Sequence, residues 1–287
     1  MKRCMLPQET APDGDEGGGL PATHSTFAVH RWRDGRPAIV PDEIAEEVPV
    51  ALEYNGISHA VMLATPADLE DFALGFSLTE GIVAGRRDVY DIECERRENG
   101  VAVKLEIAAE AFVRLKERRR ALAGRTGCGL CGTESLDEVM RMPAAVASEA
   151  AFDLHTVQDA FHRLQERQAL LRDTGATHAA AWLRADGTVT LVREDVGRHN
   201  ALDKLVGALA RGDAGQEEIA RGAVIVTSRA SYEMVLKTAT IGAGVLAAVS
   251  GPTALAVRLA EAAGVTLAGF VRDSGLVVYA HPQRLHA

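Results

Sequence analysis

Beyond residue 154 the sequence switches repeatedly between two hydrophobic periodicities, and this alternation restricts the fold more than any other feature. An amphipathic helix carrying Val157, Phe161, Leu164 and Leu171 precedes two strand-like runs, 178–183 and 189–192, that turn at Asp186-Gly187. Helix and strand then take turns: a helix from Asn200, a strand over 223–227, a helix from Ser231, a strand over 245–249, a helix from Thr253, a strand over 265–271 and a last strand over 276–279. Short apolar strands separated by helices bury both sheet faces only when helices cover both sides. The spacing therefore predicts an α/β domain over 154–287 with a parallel or mixed sheet.

The first half reads differently. Residues 48–54 and 57–64 are strand-like runs around Asn55-Gly56, a pair suited to a type I′ hairpin turn. Thr65, with Pro66 after it and Asp68 in the first turn, reads as the cap of a helix whose apolar face is Leu69, Phe72, Ala73 and Phe76 and which Gly81 ends. A second hairpin, 89–93 with 101–107, turns near Asn99-Gly100, and a helix over 110–122 follows. These elements predict a small α+β domain over 26–125. Residues 1–25 are acidic, glycine-rich and without apolar periodicity, so they read as a disordered tail. Residues 126–153 read as a cysteine-bearing loop and linker, and no internal repeat is present.

With 31 Lys+Arg against 40 Asp+Glu, the net charge of −9 supplies no general field to gather nucleic acid or an anionic membrane, so an anionic ligand needs a local patch. The longest apolar run, 241–249, is broken by glycines and falls short of the ~20 residues of a spanning helix. The first residues lack the apolar core of a signal peptide, and the expectation is a cytoplasmic protein in a reducing compartment.

Of the cysteines Cys4, Cys94, Cys128 and Cys131, only the last two form a motif, inside Gly127-Cys128-Gly129-Leu130-Cys131-Gly132. The glycines describe a loop able to swing a sulfur between donor and acceptor. Arg118, Arg119, Arg120 and Arg125 just upstream supply positive charge that favours the thiolate, the attacking form of a thiol whose ordinary pKa is about 8.5. Other readings stand beside this one. A C-x-x-C is half of a structural zinc site, completed only if some of the nine histidines join it. A thioredoxin-type pair belongs after a strand and at a helix start, whereas this pair follows a helix. Two small residues in an inert turn are the third option, although structural cysteines favour apolar surroundings.

Polar clusters end the C-terminal strands: Arg193 to Asn200, then Ser228-Arg229-Ala230-Ser231-Tyr232-Glu233, then Ser250-Gly251-Pro252-Thr253, then Arg272-Asp273-Ser274-Gly275. If the strands are parallel, these ends share the edge where α/β sheets hold ligands, and one pocket collects Arg198, His199, Ser228, Arg229, Ser231 and Arg272. That inventory suits a phosphate-bearing ligand. Taken singly, each cluster reads as helix capping, with Asn200 and Ser231 as N-caps and Asp203 and Glu233 in first turns. His178 reads equally as a satisfied strand-end histidine or a ligand contact. Neither G-x-G-x-x-G nor a P-loop is present, so a dinucleotide oxidoreductase or a kinase lacks its phosphate cradle.

The string Glu194-Asp195-Val196-Gly197-Arg198-His199-Asn200-Ala201-Leu202-Asp203-Lys204 is long and polar. Together with Cys128-Gly129-Leu130-Cys131-Gly132, with Ser228 to Met234 and with Gly269-Phe270-Val271-Arg272, it resembles the formate dehydrogenase accessory sulfurtransferase family, FdhD, over nearly the whole chain beyond the tail. The Gly175-Ala176 pair departs from the double glycine expected there. The resemblance implies a cytidine-deaminase-like α/β/α sandwich with a mixed sheet, plus the smaller N-terminal α+β domain, in a homodimer.

It also implies a sulfur carrier: a cysteine desulfurase loads a persulfide on Cys128, Cys131 assists, and the sulfur passes to molybdenum or tungsten held by two pterin guanine dinucleotides. That cofactor, Mo-bis(molybdopterin guanine dinucleotide), is a bound substrate destined for the formate dehydrogenase catalytic subunit, and no resident metal is expected. By the same resemblance Phe270, Val271, Arg272, Asp273, Ser274 and Gly275 contact the cofactor, with Phe270 stacking on guanine. Two rivals follow: a chaperone that binds the cofactor without moving sulfur, and a zinc-dependent deaminase. The deaminase needs H-x-E and P-C-x-x-C, whereas His178-Ala179-Ala180 lacks the Glu, Cys128 follows Gly127, and the order along the chain is reversed.

Overall fold

The computed structural model describes residues 19–123, 142–212 and 215–287, with side chains described only to residue 117 in the first span. An antiparallel ribbon comes first: β1 (His24–Arg33) and β2 (Arg36–Ala45). The first strand begins two residues inside the expected tail, and the ribbon itself was not expected. Its signal is Asp34-Gly35, both at positive φ (50° and 74°), the demand of a two-residue type I′ turn.

The small sheet runs in the order β4-β3-β6-β5, from β3 (Val48–Tyr54), β4 (Ile57–Ala64), β5 (Val89–Arg97) and β6 (Gly100–Ile107). Helices α1 (Leu69–Thr79) and α2 (Ala109–Ala123) cover its inner face, where Val50, Leu52, Tyr54, Phe72 and Leu105 form the core. Both hairpins and both helices fall where the sequence places them.

The large sheet has the order β13-β12-β11-β10-β8-β9. Its strands are β8 (His178–Leu183), β9 (Val189–Asp195), β10 (Ala223–Val226), β11 (Val245–Ala248), β12 (Thr266–Arg272) and β13 (Gly275–Ala280). β10, β11 and β12 are parallel, while β8 and β13 run against them, which makes the sheet mixed as expected. On one face α5 (Arg198–Arg211), α7 (Tyr232–Thr240) and α8 (Ala254–Ala263) bury Leu202, Met234 and Leu259 against Val224, Leu246 and Leu267. On the other, α3 (Leu154–Glu166) sets Val157, Ala160 and Leu164 against Ala181, Ile225, Ala247 and Ala268. Two short helices, α4 (Ala169–Thr174) and α6 (Gln216–Arg221), complete the layers. Residues 142–153, read as linker, are held to the body. Val146 N–H donates to the Ala263 carbonyl (2.8 Å), Glu149 N–H to the Ala220 carbonyl (3.1 Å), and β7 (Phe152–Asp153) pairs with β14 (Leu285–His286).

Helix α1 joins the small sheet to the large one by crossing α5 closely. A Cβ on Gly75 would lie 1.7 Å from the Asp203 carbonyl oxygen, and one on Gly207 would lie 1.8 Å from that of Asp71, so only hydrogen atoms fit between the two backbones. Buried charges bracket the crossing. Lys237 donates to both Asp203 oxygens (2.8 Å each) and to Thr79 Oγ1 (2.9 Å), and Thr79 donates to Asp203 (2.7 Å). Burial alone would depress the Lys237 ammonium, but Asp203 and Glu80 hold it above its ordinary range. Asp71 accepts from Arg193 (2.7 and 2.9 Å) and Arg211 (3.1 Å).

Thr65 does not cap α1. The helix begins at Leu69 after Asp68, whose φ of 52° and unused side chain make it an unusual N-cap. Thr65 is instead fully buried at the junction: its N–H donates to Asp195 Oδ2 (3.0 Å), its hydroxyl accepts from Val196 N–H (3.2 Å) and its carbonyl accepts from Lys204 (3.0 Å). The Lys204–Asp195 pair, at 2.7 Å and wholly out of solvent, closes this network.

Two outcomes follow for stability. Lys204→Met strands a buried carboxylate and is expected to cost about 3–5 kcal/mol, read as a lowered urea midpoint. Gly207→Ala forces α1 and α5 apart and is expected to cost at least ~1–3 kcal/mol in the same measurement. An unchanged midpoint in either variant contradicts the role given to that residue.

Candidate functional site

Because β9 and β10 both run against β8, the carboxyl ends of β9, β10, β11 and β12 all reach one edge of the large sheet, beside the start of β8. At the β9–α5 corner the polar string divides into two tasks. Asp195 Oδ1 accepts from Gly197 N–H (2.8 Å) and Asn200 Nδ2 (3.0 Å) while Oδ2 holds Lys204 and Thr65, so one buried carboxylate fixes the turn. Glu194 accepts the N–H groups of Leu170 (3.0 Å) and Leu171 (2.8 Å) at the start of α4 and the Thr177 hydroxyl (3.0 Å). Asn200 is not an N-cap: Gly197 occupies that position and Asn200 lies inside α5, bonded also to the Leu63 carbonyl. Asp203 is likewise spent on Lys237. Arg198 and His199 are the members of the string left facing the edge.

His199 Nε2 lies 2.7 Å from the Glu233 carboxylate, which the first turn of α7 presents from across the edge. This hydrogen bond, with the positive charge of His199, Lys237 and Arg198, holds Glu233 below the usual carboxylate range. His178, at the head of β8, is pushed below the usual histidine range by burial and then by the Arg198 and His199 charges, which favours its neutral form near pH 7. Arg198 Nε and Ser231 Oγ are both buried and lack a hydrogen-bond partner among the described residues. Ser231 occupies the N-cap of α7 as expected but makes no side-chain cap bond. Since nearly all buried polar groups are satisfied, two orphans on one edge mark a place for a polar ligand. Ser228 is buried with its hydroxyl on the Arg229 carbonyl (3.0 Å), and Arg229 is exposed.

The β12–β13 end is built separately. Phe270 has a φ of 52°, rare for a residue with a Cβ, and sits where the β12–β13 register shifts between Gly269 and Arg272. Its ring is half exposed and lies against the Gly251 backbone, where a Cβ would come within 2.6 Å of Cζ. Val271 turns into the α3-side core. The Arg272 guanidinium donates to the Val249 and Val271 carbonyls (2.7 Å each), so it is occupied, unlike Arg198. Asp273 pairs with His162 (3.0 Å); Ser274 is exposed and Gly275 starts β13 at φ 148°. A cavity of about 330 Å³ opens here between α3 and the strand ends, lined by Arg272, Asp273 and Thr227 but by neither Arg198 nor His199. The single pocket expected from the sequence is thus two neighbouring polar sites. Gln168, which lines this cavity, had no sequence signal: a lone glutamine between two helices resembles any surface residue.

Cys128 and Cys131 lie outside the described residues, as does Arg125. Cys94 is a poor nucleophile, its thiol pushed up to about 11 by burial and by Glu70. No helix among the described residues is long and apolar enough to cross a membrane.

The chain is 72% identical over 285 residues to the sulfur carrier protein FdhD of Cupriavidus necator, covering 99% of this chain and 98% of that one. It is 60% identical over 266 residues to that of Bordetella bronchiseptica (92% and 95% covered) and 54% identical over 257 residues to that of Xanthomonas euvesicatoria (90% of each). Among solved structures, a formate dehydrogenase accessory protein from Desulfotalea psychrophila has the same fold, with a TM-score of 0.73 at 22% identity, covering 92% of this chain and all of that one. The model of the FdhD/NarQ family matches residues 45–286, which takes in both sheets and every polar strand end described above, and the chain belongs to that family.

Proposed function

We propose that this protein is a sulfur carrier that takes persulfide sulfur from a cysteine desulfurase and gives it to a molybdenum or tungsten bis-pterin guanine dinucleotide cofactor before the cofactor enters formate dehydrogenase. The observation that carries the reading is the 72% identity, across almost the whole of both chains, to a protein named for sulfur carriage. The chemistry of the sheet edge supports it. A cofactor bearing phosphates needs fixed cationic and hydrogen-bonding groups on a chain of net charge −9, and Arg198, His199 and Ser231 supply them locally.

In this reading the Cys128 thiolate attacks the terminal sulfur of the donor's persulfide; the donor cysteine leaves as thiolate and Cys128 becomes the persulfide. Delivery follows when the Cys131 thiolate attacks Cys128 Sγ. A Cys128–Cys131 disulfide forms, the outer S–S bond breaks, and the departing sulfide, carrying both bond electrons, goes to the metal. An external reductant then restores the two thiols. Arg198 and His199 hold the cofactor rather than the sulfur, and the cytoplasm and a homodimer are the setting in which the carrier works.

Incubation with a desulfurase and cysteine is expected to add the mass of a sulfur atom to the wild type, reversibly by reductant, and nothing at position 128 in Cys128→Ala. An unmodified wild type under an active desulfurase defeats sulfur carriage and leaves a cofactor chaperone. Arg198→Ala is expected to load sulfur normally yet lower formate dehydrogenase activity in the host at least about tenfold, consistent with loss of a charged hydrogen bond of ~1.5–3 kcal/mol. Full activity in that variant removes Arg198 from the site.

A further inference from the structure

The β1–β2 ribbon is a sheet of its own, paired with no other strand, and its principal neighbour on the body is α4. Residues paired across an antiparallel ribbon share a face, so the register sets Ala28, His30, Trp32, Pro37, Ile39 and Pro41 on one side. All six are exposed, Trp32 and Ile39 to 68% each, and the strip they form is apolar except for His30. On the other side Phe27, Val29 and Val40 are half-buried, and beyond them Arg31, Arg33 and Arg36 reach solvent around the Asp34-Gly35 turn. Arg31 pairs with Asp42 (3.1 Å), whereas Arg33 and Arg36 have no ion pair or hydrogen bond among the described residues. A two-stranded hairpin is marginal in water, and one that leaves an apolar face in solvent recovers little of its ordering entropy by itself. Single exposed apolar residues need no explanation, but a contiguous strip with a tryptophan and free arginines at its tip has the composition of an interface centre.

The chemistry of the tip narrows the occupant. Nucleic acid asks for a long cationic stripe, and here two free guanidinium groups stand behind an apolar strip on a chain of net charge −9. A strand added to the edge asks for N–H donors, which β2 lacks at Pro37 and Pro41. A protein cleft with one apolar wall and one wall of carboxylates satisfies both sides of the tip at once. The root of the ribbon indicates which protein. Thr23 and His24 border a cavity of about 330 Å³ together with Leu170 and Glu194. Glu194 precedes Asp195, the carboxylate that fixes the corner from which Arg198 and His199 leave, so the ribbon rises beside the candidate cofactor edge. We propose that the ribbon is a docking arm for the protein that receives the cofactor, the formate dehydrogenase catalytic subunit before it is loaded. Trp32 and Ile39 enter its cleft against the apolar wall, and Arg33 and Arg36 meet the carboxylates opposite. All of the ribbon but Ala45 lies ahead of the span that the family model matches, which suits a part that selects a partner rather than one that performs the shared chemistry. The choice of partner rests on the carrier reading above.

The test measures binding of the whole chain to purified, cofactor-free formate dehydrogenase catalytic subunit by calorimetry. Trp32→Ala is expected to weaken binding at least about tenfold. Arg33→Glu combined with Arg36→Glu is expected to weaken it as much and to flatten its dependence on salt. These side chains are in solvent, so both variants are expected to keep the wild-type urea midpoint and to load sulfur on Cys128 at the wild-type level. No binding by the wild type, or unchanged affinity in both variants, overturns the arm. So does a changed oligomeric state in either variant, which gives the strip to a second copy, or single-stranded RNA binding that the same variants abolish. Lost sulfur loading in the variants also overturns it, because the ribbon then serves the donor. A wild type that binds through the ribbon but takes no sulfur leaves the arm standing and defeats the carrier reading instead.

Discussion

The buried ionic junction between α1, α5, α7 and β9 is the constraint from which the rest of the structure follows. Lys204 and Asp195 are wholly buried, Lys237 and Asp203 nearly so, and each charge has further hydrogen bonds to Thr65, Thr79 or Asn200. Removing such charges from water costs several kcal/mol per ion, and a well-packed apolar replacement would often be as stable. Their value here is positional. An apolar contact tolerates sliding, whereas a carboxylate that must meet an ammonium, two backbone N–H groups and a carboxamide at once admits one arrangement of strand, turn and helix. The same carboxylate that anchors the small sheet to the large one therefore sets the direction in which Arg198 and His199 leave the β9–α5 corner.

From that corner the carboxyl edge of the sheet divides its work between two faces. Arg198, His199, Ser231 and Glu233 lie where α5 and α7 begin, and Gln168 and Asp273 lie on the α3 side. The first face offers guanidinium and imidazole, the groups an anionic ligand requires, and the second a cavity with mixed polar and apolar walls. Arg198, His199 and Ser231 stand at helix starts fixed by the packed sheet, so that face need not be ordered at the moment of binding and little of an interaction there is lost to entropy.

How much of this the sequence disclosed depends on the length scale of the interaction. Both hairpins, the alternating helices and strands and the mixed sheet were legible, because period and turn chemistry are local: Asn55-Gly56 makes its turn as read, and Asn99-Gly100 marks the second one residue late, since Arg97 faces Gly100 and the turn is Glu98-Asn99. The first ribbon was equally legible through Asp34-Gly35 but was masked by a polar, proline-bearing surround. Thr65 misled for the opposite reason. Thr-Pro is a sound local signal for a helix start, and it was overridden by a partner 130 positions away, Asp195, that no local pattern reveals. The polar strand ends were visible as a set, yet only the structure separates spent residues, such as Asp195, Asn200, Asp203 and Arg272, from the available Arg198 and Ser231. Gln168 was illegible altogether, since an unsatisfied donor is a property of its surroundings and not of its neighbours in sequence.

Phe270 shows how a strained residue shapes the cavity at the end of β12. A non-glycine residue at φ 52° costs roughly 1–3 kcal/mol, and half of the ring remains in solvent, so burial returns only part of that cost. The strain changes what the strand presents. Without the register shift at Phe270, alternation would put Ala268 and Val271 on opposite faces; with it, both enter the α3-side core. Val271 then walls the cavity, Arg272 folds back onto the Val249 and Val271 carbonyls, and Asp273 reaches the rim beside His162. The aromatic ring is left on the Gly251 backbone, half open to whatever approaches the edge. A strand that ran straight would be cheaper to fold and would have no rim.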